Sequence, residues 1–159
     1  MLLVKAAARD SAIAGRGLFV EQAVSKGTVV SLHAADSVVL TEQEYQHEQR
    51  IGNELAIRTG IRWVGPYFLC AKEARPEAFI NHSKDPSLLY HCGISFARRD
   101  LKPGDELTID YSLFLAAEDV ESFRDSAEEA SVTGLPPKDA LASSTEQLLR
   151  LLQEVDDIR

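Results

Sequence analysis

Long apolar stretches are missing from this chain of 159 residues, and so are several other features that would narrow its class. No apolar run approaches the roughly 20 residues that cross a bilayer, so no membrane-spanning helix is expected. Met1 to Asp10 lacks a basic start followed by a long apolar run, so a secretory leader is not expected either. Cysteine is scarce. Cys70 and Cys92 have no C-x-x-C spacing, which reads as two free thiols in a reducing compartment, and a cytoplasmic location is expected. No basic patch or stripe is present, which argues against direct nucleic-acid binding. The four histidines, at 33, 47, 82 and 91, show no metal-ligand spacing, so no metal site is expected. A G-x-G-x-x-G turn opening a helix is absent, as is a G-x-S-x-G elbow, which excludes the common dinucleotide and serine-hydrolase patterns. There is no internal repeat and no low-complexity tract.

What remains is ordinary globular composition: 45% hydrophobic and 26% charged. The length suits one domain with a real core. Net charge is −8, unevenly placed: residues 1–115 carry 13 Lys/Arg against 14 Asp/Glu, and residues 116–159 carry 4 against 11. That acidic quarter has two readings, a solvated surface that keeps the protein soluble or a field that steers a basic partner.

Short β-branched and apolar runs separated by glycine dominate the first 110 residues. Leu2–Val4, Thr28–Leu32 and Val38–Leu40 read as strands. Thr41 with Glu44 three residues later predicts a helix over 42–50. Ile61–Cys70 reads as a hairpin about Gly65-Pro66, and Glu77–Asn81 as one helical turn after Pro76. Leu88–Ala97 reads as one largely buried strand, and Glu106–Asp110 as another. The fold class expected is mainly β, a β-rich α+β arrangement. Residues 116–159 look different. Ala and Glu predict a helix over 116–130, Gly134, Pro136 and Pro137 break the chain, and a second helix follows from Ser144. In it Leu148, Leu151, Leu152, Val155 and Ile158 share one face, to dock on the protein's own core or to form a dimer interface.

Four short motifs carry chemistry in combination. They are Gly15-Arg16-Gly17-Leu18-Phe19, Val24-Ser25-Lys26-Gly27, Phe79-Ile80-Asn81-His82-Ser83 and Gly104-Asp105-Glu106-Leu107-Thr108-Ile109-Asp110-Tyr111. In this order the chain resembles the SET-domain family of protein-lysine methyltransferases, in its short stand-alone bacterial and viral form, over roughly residues 5–115. The resemblance implies a SET domain over 1–115, a β-clip fold of small twisted sheets. A knot-like threading near Tyr111 would lay the Asn81 segment beside it. Residues 116–159 would then be an acidic helical extension, packed on the domain or forming a dimer interface. Two departures stand out: Ser87 occupies a place where the family commonly has Asn, and the cysteine-rich zinc segment is absent. The extension is the natural candidate to complete the channel wall in its place.

The resemblance further implies S-adenosyl-L-methionine as cofactor and a lysine side chain in a basic protein as methyl acceptor. The turn Gly15, Arg16, Gly17 and Leu18 would touch the methionine part through its backbone. Asn81 and the backbone of His82 would hold its amino-acid and adenine ends. Tyr111 would be the catalytic residue, lining the channel where cofactor and amine meet, and Phe114 would close the channel or cover the adenine. Tyr67 and Tyr90 are candidates for a second channel aromatic. Each has a plainer alternative: Tyr111 and Phe114 as core aromatics, Asn81 as a cross-link. The competing function is a SET-like binding or scaffolding module without turnover. A possible homodimer completes the expected partners, with no nucleic acid and no membrane among them.

Overall fold

Alternating buried and exposed positions, glycine turns and one capping box divide the chain into short elements. The computed structural model describes residues 1–33, 35, 37–116, 120–125 and 128–156, with backbone alone for 120–125 and 128–130. In chain order the elements are β1 (Ala6–Asp10), β2 (Arg16–Val20), β3 (Val29–Leu32), β4 (Ser37–Thr41), α1 (Glu42–Arg50), α2 (Glu54–Thr59), β5 (Ile61–Val64) and β6 (Tyr67–Ala71). There follow β7 (Asn81–His82), β8 (Leu88–His91), β9 (Ile94–Ala97), β10 (Glu106–Ile109), β11 (Val120–Asp125), β12 (Glu128–Thr133) and α3 (Pro137–Glu154). Single 3-10 turns sit at Pro76–Phe79 and Tyr111–Leu113.

The strands form four small sheets, ordered β1-β2-β10-β7, β3-β9-β8, β4-β6-β5 and β11-β12. The β-rich class therefore holds. In the first sheet β10 runs antiparallel to β2, with Leu107 opposite Leu18, and parallel to β7, with Thr108 opposite Asn81 and Ile109 opposite His82. Those two pairings bring three distant motifs together. Leu18, Val20, Leu107 and Ile109 project from this sheet into the main core with Val30, Leu88 and Leu101. Stacked rings of Tyr45 and Phe68, 4.3 Å apart, centre a second cluster that ties α1 to β6.

Several expected elements form where the residues predict them. Thr41 caps α1, its hydroxyl accepting the Glu44 N–H while the Glu44 carboxylate accepts the Thr41 N–H. The hairpin β5-β6 turns at Gly65-Pro66 with Gly65 at φ 54°. Others differ. Leu2–Val4 makes only a bridge from Leu2 to Ser31, and the first strand begins at Ala6. The single strand expected over Leu88–Ala97 is a hairpin, because Cys92 and Gly93 both adopt positive φ, 47° and 82°, and turn the chain.

In place of the helix expected over 116–130 the described chain from Val120 is a β-hairpin: β11 pairs with β12 from Val120↔Thr133 to Asp125↔Glu128. Helix propensity from Ala and Glu is a weak preference. Here cross-strand pairing and the burial of Val132 in the main core override it. The last helix starts at Pro137 rather than Ser144, with proline in its first turn. Ser144 lies inside it, buried, its hydroxyl 3.0 Å from His91 Nδ1. Leu151 is buried against Leu89 and Phe96, with Leu148 and Val155 packed beside it, so this face docks on the protein's own core. Leu152 is exposed, and Ile158 lies outside the described residues. No helix among the described residues is long and apolar enough to cross a membrane.

Candidate active site

Gly15 and Gly17 are both glycine for different physical reasons. Gly15 sits at φ 42° with open space where a Cβ would be. Gly17 needs no special dihedral, but a Cβ there would lie 2.1 Å from Glu106 Oε1. The backbone between them is pinned from below. Asn81 Nδ2 faces the Ala14 carbonyl at 3.3 Å, the Arg16 carbonyl at 3.2 Å and Glu106 Oε1 at 2.8 Å. Arg16 turns outward, its guanidinium 4.8 Å from the Phe79 ring centre and its Nη2 donating to the Ala8 carbonyl. Leu18 is wholly buried, backbone included, between Ala8 of β1 and Leu107 of β10, so it presents no surface to a ligand, unlike the contact expected of it.

On the other side of β7 the chain turns back at Tyr111. The Tyr111 N–H donates to His82 Nδ1 at 3.1 Å, and the Tyr111 hydroxyl donates to the Ile80 carbonyl at 2.8 Å. The His82 ring is buried and 5.4 Å from the Tyr111 ring, which lies 5.0 Å from that of Phe114. Phe114 meets Tyr90 edge-on at 5.6 Å. Tyr90 is fully buried and donates to the Arg62 carbonyl, and its phenol pKa is pushed far up by loss of solvent. Tyr67 is exposed at the β5-β6 turn, away from this cluster.

Tyr111, Phe114, Tyr90 and Ile80 line a cavity of about 480 Å³, within the about 300–1,000 Å³ usual for ligand pockets. Its polar lining includes Glu77, whose largely buried carboxylate pairs with the Met1 ammonium at 2.5 Å. It also includes His33, held between Ser31 and Ser95 hydroxyls at 3.1 and 3.2 Å. Burial lowers the His33 pKa to about 4, partly opposed by the Glu77 carboxylate, so this imidazole is neutral near pH 7. A second cavity, about 550 Å³, is walled by Arg16, Phe79, Ala6 and Glu54. Arg58, Thr59, Arg75 and Ala78 border both.

A family model described as SET domain matches residues 15–112. The chain belongs to the SET-domain family. A comparison with curated proteins finds no match. SET domains are typically protein-lysine methyltransferases that use S-adenosylmethionine, so the family points generally to methyl transfer.

In this SET domain the folded chain gathers the sequence-expected residues into two neighbouring groups. Gly15, Arg16, Gly17 and Asn81 surround Glu106; His82, Tyr111 and Phe114 surround the turn after β10. Tyr111 and Phe114 border the first cavity and Arg16 the second. Gly15, Gly17, Leu18, Asn81 and His82 border neither. The extension was expected to complete the channel wall, and the side chains of 117–130 lie outside the described residues. Among the described residues Tyr45 and Gln49 of α1 and Ile57 and Arg58 of α2 wall the first cavity, and none after Leu115 lines it. Ser87, in the unusual position, is buried: its hydroxyl accepts the Thr108 N–H at 2.8 Å and donates to the Glu106 carbonyl at 3.1 Å. Sequence reasoning missed Glu106, Ser11 and Glu77. Glu106 and Ser11 meet across 95 residues, at 2.8 Å, and no local pattern announces such a pair.

Proposed function

We propose that this SET domain transfers a methyl group from S-adenosyl-L-methionine to the side-chain amine of a lysine in a basic protein segment. The observation that carries the reading is the parallel pairing of β7 with β10. It sets His82 against Tyr111, which lines the first cavity, and Asn81 beside Thr108 on the side of the glycine turn. The residues fit the cofactor at one testable point: Gly15 and Arg16 are exposed, and nothing stands within 4 Å of where a Gly15 Cβ would be. A ligand can therefore reach the backbone of the turn.

S-adenosylmethionine, when bound, supplies a methyl group already activated on a cationic sulfonium, so the protein's part is orientation and electrostatics. An acceptor lysine is protonated in water and must lose that proton before it attacks. Ile80, Tyr90 and Phe114 give the cavity an apolar wall, which disfavours the charged amine. The Tyr111 hydroxyl, oriented by donating to the Ile80 carbonyl, keeps acceptor capacity for an amine N–H. Holding the amine in line at about 3–3.5 Å from the reacting carbon is where most of the acceleration would arise. The net charge of −8 favours encounter with a basic partner.

A binding module without turnover is the second reading, favoured by Asn81, whose amide donors are already directed at protein acceptors. Calorimetric titration with S-adenosylmethionine separates the two; absence of binding at millimolar cofactor sinks the enzyme reading. With binding established, Tyr111→Phe is expected to retain cofactor affinity within about threefold. It should lose at least about 100-fold in labelled-methyl transfer to a basic protein substrate. An unchanged rate would remove Tyr111 from catalysis.

A further inference from the structure

Glu106 stands at the start of β10, yet its side chain serves a segment 95 residues upstream. Both carboxylate oxygens accept from the Ser11 hydroxyl, at 2.8 and 3.0 Å. Oε1 also accepts from Asn81 Nδ2 at 2.8 Å. Ser11 in turn receives the Ile13 N–H on its hydroxyl at 2.9 Å, and its own N–H donates to the Gly15 carbonyl at 2.9 Å. Asn81 reaches on to the carbonyls of Ala14 and Arg16. Ser11 and Asn81, the two side chains that hold the 11–17 backbone, thus both lead to one carboxylate, while Arg16 and Gly17 are also paired with β1. Gly17 completes the arrangement by leaving room for that carboxylate, which a Cβ would meet at 2.1 Å.

We propose that Glu106 is a positioning residue for the cofactor, setting the backbone of Gly15–Gly17 through Ser11 and Asn81 without touching the ligand. This rests on the cofactor reading above. A carboxylate suits the task because it is acceptor-only, with lone pairs enough for two neighbouring donors, and charge-assisted hydrogen bonds are the stronger kind. A ligand that binds to a loop's backbone gains affinity when the loop is already in the bound conformation. Loss of the carboxylate should therefore loosen the loop and weaken binding together, while the core of β8 and β9 is untouched. Asn81 acquires a definite role in this scheme: it carries the hold of Glu106 to the two carbonyls flanking Gly15.

The test pairs a ligand-free readout with a binding readout on the full chain. In Glu106→Gln, amide hydrogen exchange at residues 13–17 is expected to quicken at least about tenfold, with β8 and β9 amides unchanged. The S-adenosylmethionine Kd is expected to rise about tenfold or more. Ser11→Ala, which leaves β10 intact and keeps the test available should Glu106→Gln fail to fold, should move both readouts in the same direction. The double variant should be no worse than the worse single one, because both remove one linkage. Unchanged loop exchange in folded Glu106→Gln overturns the proposal, as does a loosened loop with Kd held within about twofold, or simple additivity of the two variants. Should the wild type bind no S-adenosylmethionine, the methyltransferase reading and the cofactor role of Glu106 fall together. The exchange data would still decide whether Glu106 holds the loop.

Discussion

His33 shows how burial of one residue becomes a pH dependence. Its imidazole is enclosed beside Ser31 and Ser95, and loss of solvent lowers its pKa from 6.5 to about 4. The unfolded chain binds the proton from about pH 6.5 downward, whereas the folded chain resists until about pH 4. Stability is therefore complete above about pH 6.5 and is lost as pH falls through that window, by on the order of 3 kcal/mol. Urea unfolding of wild type and His33→Gln at pH 7 and pH 5 checks this. The variant is expected to lack about 2 kcal/mol of the wild-type fall, and equal slopes would mean that His33 is not held neutral. Two other residues were only half legible. The two-glycine turn is visible in the sequence, but the different demands at Gly15 and Gly17 are not, because the atom that forbids a Cβ at Gly17 belongs to Glu106. Tyr111 is recognisable from its motif, yet its hydrogen bond to the Ile80 carbonyl depends on the pairing of distant strands.

At the scale of elements, local chemistry sufficed wherever the partners were local. The capping box at Thr41 and the Gly65-Pro66 turn involve residues within four positions of each other, and both formed as read. The hairpin of β11 and β12 did not follow that rule, since its Glu and Ala residues favour helix while Val120, Phe123, Val132 and Thr133 favour strand, and pairing decides between them. Helix α3 divides its leucines by burial. Leu151, 5% exposed, rests on Leu89 and Phe96, while Leu149 is 56% exposed. Leu151→Ala is expected to cost about 2–4 kcal/mol by denaturant unfolding, and Leu149→Ala less than about 0.5 kcal/mol. Equal losses would mean that α3 rests on the domain by its other face.

For the molecule as a whole, the link between the domain and α3 is structural. The Leu135 N–H donates to the Ser112 carbonyl at 2.8 Å, and the buried Arg62 donates through Nη1 to the Leu135 carbonyl at 2.6 Å. Gly134 beside it has no room for a side chain, with the Ala116 carbonyl oxygen 2.2 Å from where a Cβ would be. A chain ending at Gly134 is therefore expected to be about 1–3 kcal/mol less stable than one ending at Pro136, because only the latter keeps the Leu135 carbonyl that accepts from Arg62 Nη1. Equal urea midpoints for the two would show that this acceptor contributes nothing. By itself the sequence determined the β-rich class, the family, the capping box, the β5-β6 turn and the motifs around Gly15, Asn81 and Tyr111. Each of these resides in residue type and short spacing. Only the tertiary structure decided that Glu106 holds Ser11 and Asn81 beside the glycine loop, that α1 and α2 wall the cavity, and that Val120–Asp125 pairs with Glu128–Thr133. The first two depend on contacts across tens of residues and the third on strand pairing with Val132 buried in the main core, and in each burial and hydrogen-bond completion outweigh local preference.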